Sequence, residues 1–238
     1  MTKLAIAGCC GKMGTRILEF AQQDKKLRVV SIFERAGHAS AGKEMAGLKV
    51  ADSLEGVKKT DVLIDFTSPE STVKNLEACL RYKKAIVIGT TGLSEEHVVL
   101  IRKAAKKIPV VFSPNMSVGV NLLFKLLRQA ASKLSQDYKT SIREAHHVHK
   151  KDAPSGTAKK LAQIVKEEKG EDVLGAIESI REGEIVGDHE VVFDSPFDTI
   201  KLSHSAKTRD IFAKGALVAA QWLHKKKTGL YSMEDVLA

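Results

Sequence analysis

Short apolar runs alternate with stretches of helical spacing through the first half of the chain. The runs are continuous and predict strands buried on both faces, at residues 3–7, 27–33, 61–66, 85–88 and 110–112. Between them, apolar residues recur three or four positions apart, as Ile17, Leu18 and Ala21 do, which is typical of amphipathic helices. This alternation predicts an α/β fold with a doubly wound, mainly parallel sheet.

The pattern changes beyond residue 118. Strand-like segments at 138–145, 176–181, 184–193 and 199–204 predict a mixed or antiparallel sheet, and 209–222 returns to helical spacing. We therefore expect a second α+β domain at 118–208, and a first domain formed by 1–117 together with 209–238. The less regular stretch 37–59 is expected to be a mobile connection with a short edge strand near 48–50.

A glycine turn follows the first predicted strand. Gly8, Gly11 and Gly14 are spaced G-x-x-G-x-x-G between a strand and a helix, a context typical of dinucleotide-binding units. Glycines let the backbone turn tightly and approach a pyrophosphate, and Gly14 lets the helix pack against the strand. A turn of this kind that binds no nucleotide is the alternative.

The residues after the other strands indicate which nucleotide could bind. Glu34 ends the second strand, where a carboxylate can accept hydrogen bonds from a ribose, while Arg35 with Lys12 could instead hold a 2′-phosphate. Both NADH and NADPH therefore remain open. Two further strand ends carry small and polar residues at 89–92 and 113–116, and ligands of open α/β sheets bind at such ends.

Proton donors, cations and a helix start converge at residues 144–158. His146, His147 and His149 can titrate near neutrality, and Lys150 and Lys151 add positive charge. The following Ser-Gly-Thr at 155–157 predicts a capped helix N-terminus, which favours an anion. An anionic substrate that must receive a proton would suit this segment. A solvated surface turn is the bland alternative, and a metal site is disfavoured because two lysines would repel a cation.

Composition narrows the class of protein. The chain has 238 residues, 43% of them hydrophobic, which is enough for one large or two modest domains. Its net charge of +9 is dispersed and aromatic residues are 5%, so we expect anionic small molecules and no nucleic acid as partners. We expect no membrane span or signal peptide. Cys9, Cys10 and Cys79 are an odd number, which favours a reducing cytoplasm and thiols used in packing.

These motifs resemble those of the dihydrodipicolinate reductase family over nearly the whole chain. The resemblance is carried by the glycine turn, by Gly89-Thr90-Thr91-Gly92, by the loop 115–121 and, most specifically, by the segment from His146-His147 to Ser155-Gly156-Thr157. The family implies a Rossmann domain, a mixed α/β substrate domain that builds a homotetramer, and hydride transfer from NADH, NADPH or both. The implied substrate is a cyclic imine dicarboxylate, 4-hydroxy-tetrahydrodipicolinate.

The resemblance also implies residue roles. His146 would donate the proton with help from Lys150, and no metal is expected. Substrate carboxylate would be bound by His147, Ser155, Gly156 and Thr157. The cofactor would be lined by Gly8, Gly11, Lys12, Met13, Gly14, Glu34, Arg35, Gly89, Thr90, Thr91, Ser113, Pro114, Asn115 and Met116.

Two features depart from the family pattern. Cys9-Cys10 replaces the small residues usual in the glycine turn, and the segment 169–177 is short, which leaves its contacts open. Two other classes of protein share part of the pattern. A redox-sensing nucleotide-binding regulator would need the glycine turn and Glu34 alone, and a reductase of another imino or oxo acid would share both halves.

Overall fold

The computed structural model describes residues 1–170 and 174–238. They form two compact units, the first made of Met1–Ser117 with Phe212–Ala238 and the second of Val118–Ile211. Within the described part of the chain, none of the helices combines the length and apolar character that crossing a bilayer would require.

The first unit is built on one eight-stranded sheet. Its strand order is β12-β7-β6-β5-β1-β2-β4-β3, and every neighbouring pair is parallel except the antiparallel β3 and β4. The strands are β1 (Thr2–Ala7), β2 (Leu27–Phe33), β3 (Glu44–Met45), β4 (Leu48–Ala51), β5 (Val62–Asp65), β6 (Ala85–Ile88), β7 (Pro109–Phe112) and β12 (Gly229–Tyr231). Every residue of β5 and β6 is buried, because central parallel strands are covered on both faces.

Helices follow the strands of this sheet in alternation. They are α1 (Lys12–Gln23), α2 (Pro69–Tyr82), α3 (Glu95–Ala105), α6 (Asp210–Leu223) and α7 (Met233–Val236), with a short 3-10 helix at Leu54–Lys59. The prediction of a Rossmann-type, mainly parallel sheet with a second domain of mixed sheet is therefore confirmed.

Two local predictions in this unit were wrong. The strand expected near 48–50 is present as β4, but it is not at the edge, because β4 pairs with β2 on one side and with β3 on the other, and residues 37–59 also contain the 3-10 helix. The apolar spacing of Val73, Leu76 and Leu80 predicts that they form the inner face of α2, but Val73 is only half-buried. That face instead includes the polar side chains of Thr72 and Asn75 beside Leu76. The helix turns these polar residues inward next to the buried carboxylate of Asp65, which interacts with both.

Helix α6 is packed closely within the first unit. An ideal Cβ on Gly215 would lie 1.7 Å from the carbonyl oxygen of Met116, so only glycine allows this approach. The single tryptophan, Trp222, meets Tyr231 edge-on with 5.1 Å between ring centroids. The ammonium of Lys226 lies 4.2 Å from the Trp222 ring centroid.

The second unit is a four-stranded mixed sheet with helices α4 (Val118–Lys133) and α5 (Gly156–Lys169) packed against it. Its order is β11-β10-β8-β9, in which β8 and β9 are parallel and the other pairs antiparallel. The strands are β8 (Lys139–His146), β9 (Leu174–Arg181), β10 (Asp188–Asp194) and β11 (Thr199–Ser205). Alternate residues of β8 and β10 are buried, including Ile142, Val191 and Phe193.

Two predicted boundaries here need correction. The strand expected at 184–193 begins only at Asp188, because Gly183 has a left-handed backbone and a turn occupies the preceding residues. Helix α4 begins at Val118, within the stretch 115–121 that the sequence interpretation treats as a loop. Of the segment 169–177, which the sequence marks as short, residues 171–173 lie outside the described residues.

Candidate active site

The glycine turn between β1 and α1 is shaped by two close approaches. Gly8 has a φ of +68°, in the left-handed region that favours glycine, and its carbonyl oxygen accepts a 3.0 Å hydrogen bond from Gly11 N–H. An ideal Cβ on Gly14 would lie 2.0 Å from that same carbonyl oxygen. Gly14 therefore allows α1 to pack against the turn, as its spacing predicts.

The carboxylate of Glu34 lies at this turn. Its Oε1 accepts a 2.9 Å hydrogen bond from the Cys10 backbone N–H, which joins the end of β2 to the glycine turn. Glu34 is half-buried, whereas Lys12 and Arg35 are exposed. A carboxylate in this position can accept hydrogen bonds from ribose hydroxyls, and the two exposed cations could pair with a 2′-phosphate.

Two cavities in the first unit contain most of the predicted cofactor residues. One, of about 470 Å³, includes Gly8, Gly11, Glu34 and Arg35 in its lining. The other, of about 320 Å³, is lined by Met13, Phe66, Thr67, Gly89, Thr90, Thr91, Ser113, Pro114, Asn115, Met116 and Phe212. Lys12 and Gly14 line neither cavity. The residues present fit a dinucleotide, since the cavities share Phe66 and Thr67 and follow the carboxyl ends of the parallel strands.

Phe66 and Thr67 were not among the predicted cofactor residues, although they follow β5 directly and the rule that ligands bind at strand ends could have found them. The Phe66 ring is packed against Gly89, where an ideal Cβ would lie 2.2 Å from its Cζ. Thr67 N–H donates to Thr90 Oγ1 at 3.0 Å, so the loops after β5 and β6 are bonded to each other. These contacts give the cavity wall a fixed shape.

Asp65 is hydrogen-bonded to Thr67, one of the residues of this cavity wall. Its Oδ1 accepts a 2.5 Å hydrogen bond from Thr67 Oγ1, and the side chain is fully buried. Burial raises the pKa of the Asp65 carboxyl, although the hydrogen bond from Thr67 acts in the opposite direction. The ionised form of Asp65 is thus less favourable in the folded protein than it would be in water.

In the second unit, a buried carboxylate organises the histidine segment. Strand alternation turns both Glu144 and His146 inward at the end of β8, and His146 Nδ1 is hydrogen-bonded to Glu144 Oε2. Glu144 Oε1 accepts from the Arg181 guanidinium at 2.9 Å and from Ser155 N–H at 3.3 Å. Burial alone would raise the pKa of the Glu144 carboxyl. Its hydrogen bonds outweigh burial, the one from Arg181 most strongly, and hold the pKa below its usual value.

The other ring nitrogen of His146, Nε2, faces Gly187. Because Nδ1 faces Glu144, Nε2 is the nitrogen that can offer a proton to a ligand. Gly187 lies in front of it, since an ideal Cβ there would be 3.0 Å from Nε2. Burial lowers the pKa of His146, and the hydrogen bond and charge of Glu144 partly restore it, while the charge of Lys150 lowers it further.

His189 completes this cluster. Its ring meets that of His146 edge-on with 5.1 Å between centroids, and its Nε2 lies 3.2 Å from Ser155 Oγ. Burial, with the nearby charge of His146, lowers the pKa of His189 to about 4, so the ring is neutral near pH 7. Glu144, Arg181 and His189 were not among the predicted site residues. Glu144 and His189 are opposite each other on β8 and β10, a register the sequence does not display.

The remaining predicted substrate residues surround the start of α5. Ser155 caps this helix, with its Oγ accepting from Ala158 N–H at 3.2 Å, and Gly156 and Thr157 form its first turn. Gly156 has open space where a side chain would be, so a ligand can approach the helix N-terminus. Ser155 is thus brought together with the His146 cluster.

His147 and Lys150 have other partners in this structure. His147 Nε2 lies 3.2 Å from the Arg209 guanidinium, and the half-buried Lys150 donates to Asp152 Oδ1 at 2.8 Å. The charge of Lys150 nevertheless acts on His146. Lys150 is therefore electrostatically part of the His146 cluster, while His147 is directed to Arg209.

Comparisons with known proteins agree along the whole chain. The family model for the N-terminus of dihydrodipicolinate reductase matches residues 2–116, and the model for its C-terminus matches 119–237. The 4-hydroxy-tetrahydrodipicolinate reductase of Geobacter metallireducens is 42% identical, with 100% of this chain and 99% of the relative covered. That of Geotalea daltonii is 41% identical with the same coverage.

Solved structures show the same fold. A dipicolinate-bound dihydrodipicolinate reductase from Paenisporosarcina sp. TG-14 superposes with a TM-score of 0.86 at 24% identity, covering 99% of both chains. An amine dehydrogenase from Mycobacterium smegmatis superposes with a TM-score of 0.69 at 11% identity, covering 98% of this chain and 95% of its own. The chain therefore belongs to the dihydrodipicolinate reductase family, whose members are NAD(P)H-dependent oxidoreductases of lysine and diaminopimelate biosynthesis.

Proposed function

We propose that the chain reduces the cyclic imine dicarboxylate 4-hydroxy-tetrahydrodipicolinate, or the dihydrodipicolinate formed from it, to tetrahydrodipicolinate. The dinucleotide would bind the glycine turn and the strand-end cavities of the first unit. The dicarboxylate would bind the histidine cluster and the start of α5 in the second unit. The observation that carries the proposal is the buried Glu144–His146 pair beside a capped helix N-terminus, because it joins a proton donor to an anion site.

A bound NADH or NADPH supplies a hydride from C4 of its nicotinamide. His146 then protonates the reduced substrate from Nε2, because Glu144 holds Nδ1 and fixes the orientation of the ring. Burial lowers the pKa of His146, and a negatively charged substrate beside it would raise that pKa again. The proton would therefore be held when the substrate is present.

The carboxylates of the substrate would be bound by groups around the start of α5. The helix dipole and the first-turn N–H groups at Gly156 and Thr157 favour an anion there, and Ser155 fixes the position of that turn. Lys150 would stabilise the negative charge that develops during hydride transfer. For His147 we propose a carboxylate contact, which would require it to exchange its present partner, Arg209.

The cofactor lining that we propose is that of the sequence interpretation with Phe66 and Thr67 added. Glu34 would accept the adenosine ribose hydroxyls of NADH, and Lys12 with Arg35 would receive the 2′-phosphate of NADPH. We propose that both nucleotides are accepted, because Glu34 and Arg35 line the same cavity and Lys12 belongs to the glycine turn that also contributes to that cavity.

Assembly and location complete the proposal. We propose a homotetramer formed through the second unit, supported by the exposed side chains of Leu122 and Leu126 on α4 and of Phe197, which is 89% exposed. Light scattering on the purified chain measures its mass. We propose the cytoplasm as its location, because reducing conditions keep its three cysteines as thiols.

The test is consumption of NADH or NADPH with freshly generated 4-hydroxy-tetrahydrodipicolinate. We expect turnover with the unaltered chain, and a ~10²–10⁴-fold loss of kcat with little change in KM for His146→Gln. His149→Gln is the matched control, because that neighbouring ring is 77% exposed and should not affect kcat. Absence of turnover with both nucleotides would refute the proposed reaction, and a near-normal kcat for His146→Gln would refute the role of His146.

A further inference from the structure

The two adjacent cysteines of the glycine turn have a geometry suited to a metal ion. Cys9 Sγ and Cys10 Sγ are 3.9 Å apart. One Zn²⁺ held tetrahedrally by two thiolates at about 2.3 Å places the sulfurs about 3.8 Å apart. The spacing between these sulfurs is therefore that of two ligands on one ion.

Glu34 supplies a third ligand. One ligand atom from each of Cys9, Cys10 and Glu34 lies within 4.8 Å of the other two. The Cys10 N–H holds Oε1 of Glu34 at the turn, so the carboxylate is kept beside the two thiols. Two sulfurs and one carboxylate oxygen are a ligand set that a thiophilic divalent ion accepts, with a water molecule in the fourth position.

The backbone around these side chains is fixed before any ion arrives. Cys9 N–H donates to the Phe33 carbonyl at 3.2 Å, and the Cys9 carbonyl accepts from Thr15 Oγ1 at 3.2 Å. Glu34 N–H donates to the Ala51 carbonyl at 2.9 Å. Little conformational entropy would be lost on binding, because the elements that carry the ligands are already bonded to one another.

An ion can reach this group from solvent. Cys9 is buried, but Cys10 and Glu34 are half-buried and line the cavity of about 470 Å³. That cavity has room for the fourth ligand. It is also the cavity in which the proposed function puts the adenosine half of the dinucleotide.

We propose that Cys9, Cys10 and Glu34 form a binding site for a thiophilic divalent cation of the Zn²⁺ or Cd²⁺ class, and that the cation and the dinucleotide exclude each other. Each bound thiol releases its proton to solvent as the metal–sulfur bond forms. The ion occupies the carboxylate that the ribose would use, so each ligand weakens the other by the same factor. The competition rests on the proposed function, whereas the cation site does not.

The experiment is a Cd²⁺ titration of the reduced full-length chain, followed by the ultraviolet charge-transfer band of cadmium–thiolate bonds. We expect one ion per chain. Cys9→Ala and Cys10→Ala should each weaken binding by at least the ~10–100-fold typical of lost outer-shell partners, since they remove a direct ligand. Cys79→Ala is the matched control, because that cysteine is equally buried but lies on α2 outside the group.

Two results would overturn the site: no charge-transfer band, or a band that both turn variants retain. Binding without the band would indicate an oxygen and nitrogen site, such as Glu144 with His146 and His189. Competition is measured separately, as NADH affinity with and without Cd²⁺. Unchanged affinity alongside a confirmed site refutes the mutual exclusion, and absence of NADH binding in metal-free protein refutes the proposed function while the site stands.

Discussion

Replacing Glu144 by glutamine tests whether a single buried charge holds the histidine cluster together. Glutamine keeps the size and an oxygen acceptor but removes the charge that faces Arg181, whose side chain is only 19% exposed. Hydrogen bonds to charged groups contribute about 1.5–3 kcal/mol and neutral ones about 0.5–1.5, so roughly 1 kcal/mol is lost per retained contact. Two contacts are weakened in this way, those of Arg181 and of the Ser155 N–H, and the Arg181 cation is left partly buried without its counter-charge. We therefore expect Glu144→Gln to lower the free energy of unfolding by about 2–3 kcal/mol.

Urea titration followed by circular dichroism measures this loss. The matched control is Glu178→Gln in the same sheet, where Glu178 pairs with Arg143 at 3.3 Å and the two side chains are 63% and 60% exposed. Solvent screens that pair, so its loss should cost less than about 1 kcal/mol. Equal free energies of unfolding for the two variants would refute the argument that the charge of Glu144 stabilises the cluster.

The pH profile gives an independent reading of the same variant. Glu144 raises the pKa of His146 against the effect of burial, so its replacement should lower that pKa. A general acid loses activity as the pH rises through its pKa. The alkaline fall in kcat should therefore move to lower pH in Glu144→Gln and stay in place in Glu178→Gln.

Three further changes have defined outcomes. Gly187→Ala places a methyl group 3.0 Å from His146 Nε2 and should lower kcat about 10–100-fold by displacing the ring; a wild-type kcat would contradict this. Ser155→Ala removes the cap of α5 and should cost about 0.5–2 kcal/mol in urea titrations, with Ser155→Thr restoring part of it because its hydroxyl can still accept from Ala158 N–H without adding a charge beside Glu144. Asp65→Asn keeps the acceptor for Thr67 and removes a charge that burial disfavours. Because the folded-state pKa of Asp65 is raised, the charge costs stability at neutral pH and the cost disappears as the pH falls through that pKa. The variant should thus be more stable than the wild type at pH 7, by an amount that shrinks in acid, and an equal or lower stability at pH 7 would refute it.

The central strands could be predicted because consecutive apolar residues indicate a strand that is buried on both faces. β6 is a continuous apolar run and β5 is apolar up to Asp65, as is typical of parallel strands covered on both faces. The strand β4 lies where a short strand was expected, near 48–50, whereas the two residues of β3 are partly exposed and have no pattern that separates them from a loop. The glycine turn could also be predicted from local sequence, because the backbone of Gly8 is left-handed and Gly14 has no room for a Cβ.

The partners of His146 could not be predicted, because they depend on strand register. Arg181 is opposite His146 on β9, and His189 is opposite Glu144 on β10, although both are distant in sequence. A shift of one residue in either pairing would turn these side chains to the other face of the sheet. The inward polar face of α2 was missed for a related reason: Thr72 and Asn75 are buried beside the carboxylate of Asp65, which periodicity of apolar residues does not detect.

The position of Trp222 makes the two compact units distinguishable in one sample. The only indole in the chain belongs to the first unit, where Tyr231 and Lys226 surround its ring. Its fluorescence emission therefore responds to melting of the nucleotide-side unit, whereas backbone ellipticity responds to both. If a substitution at Glu144 makes the second unit melt first, the fluorescence and ellipticity melting curves would separate. The unfolding of each unit could then be followed without any label.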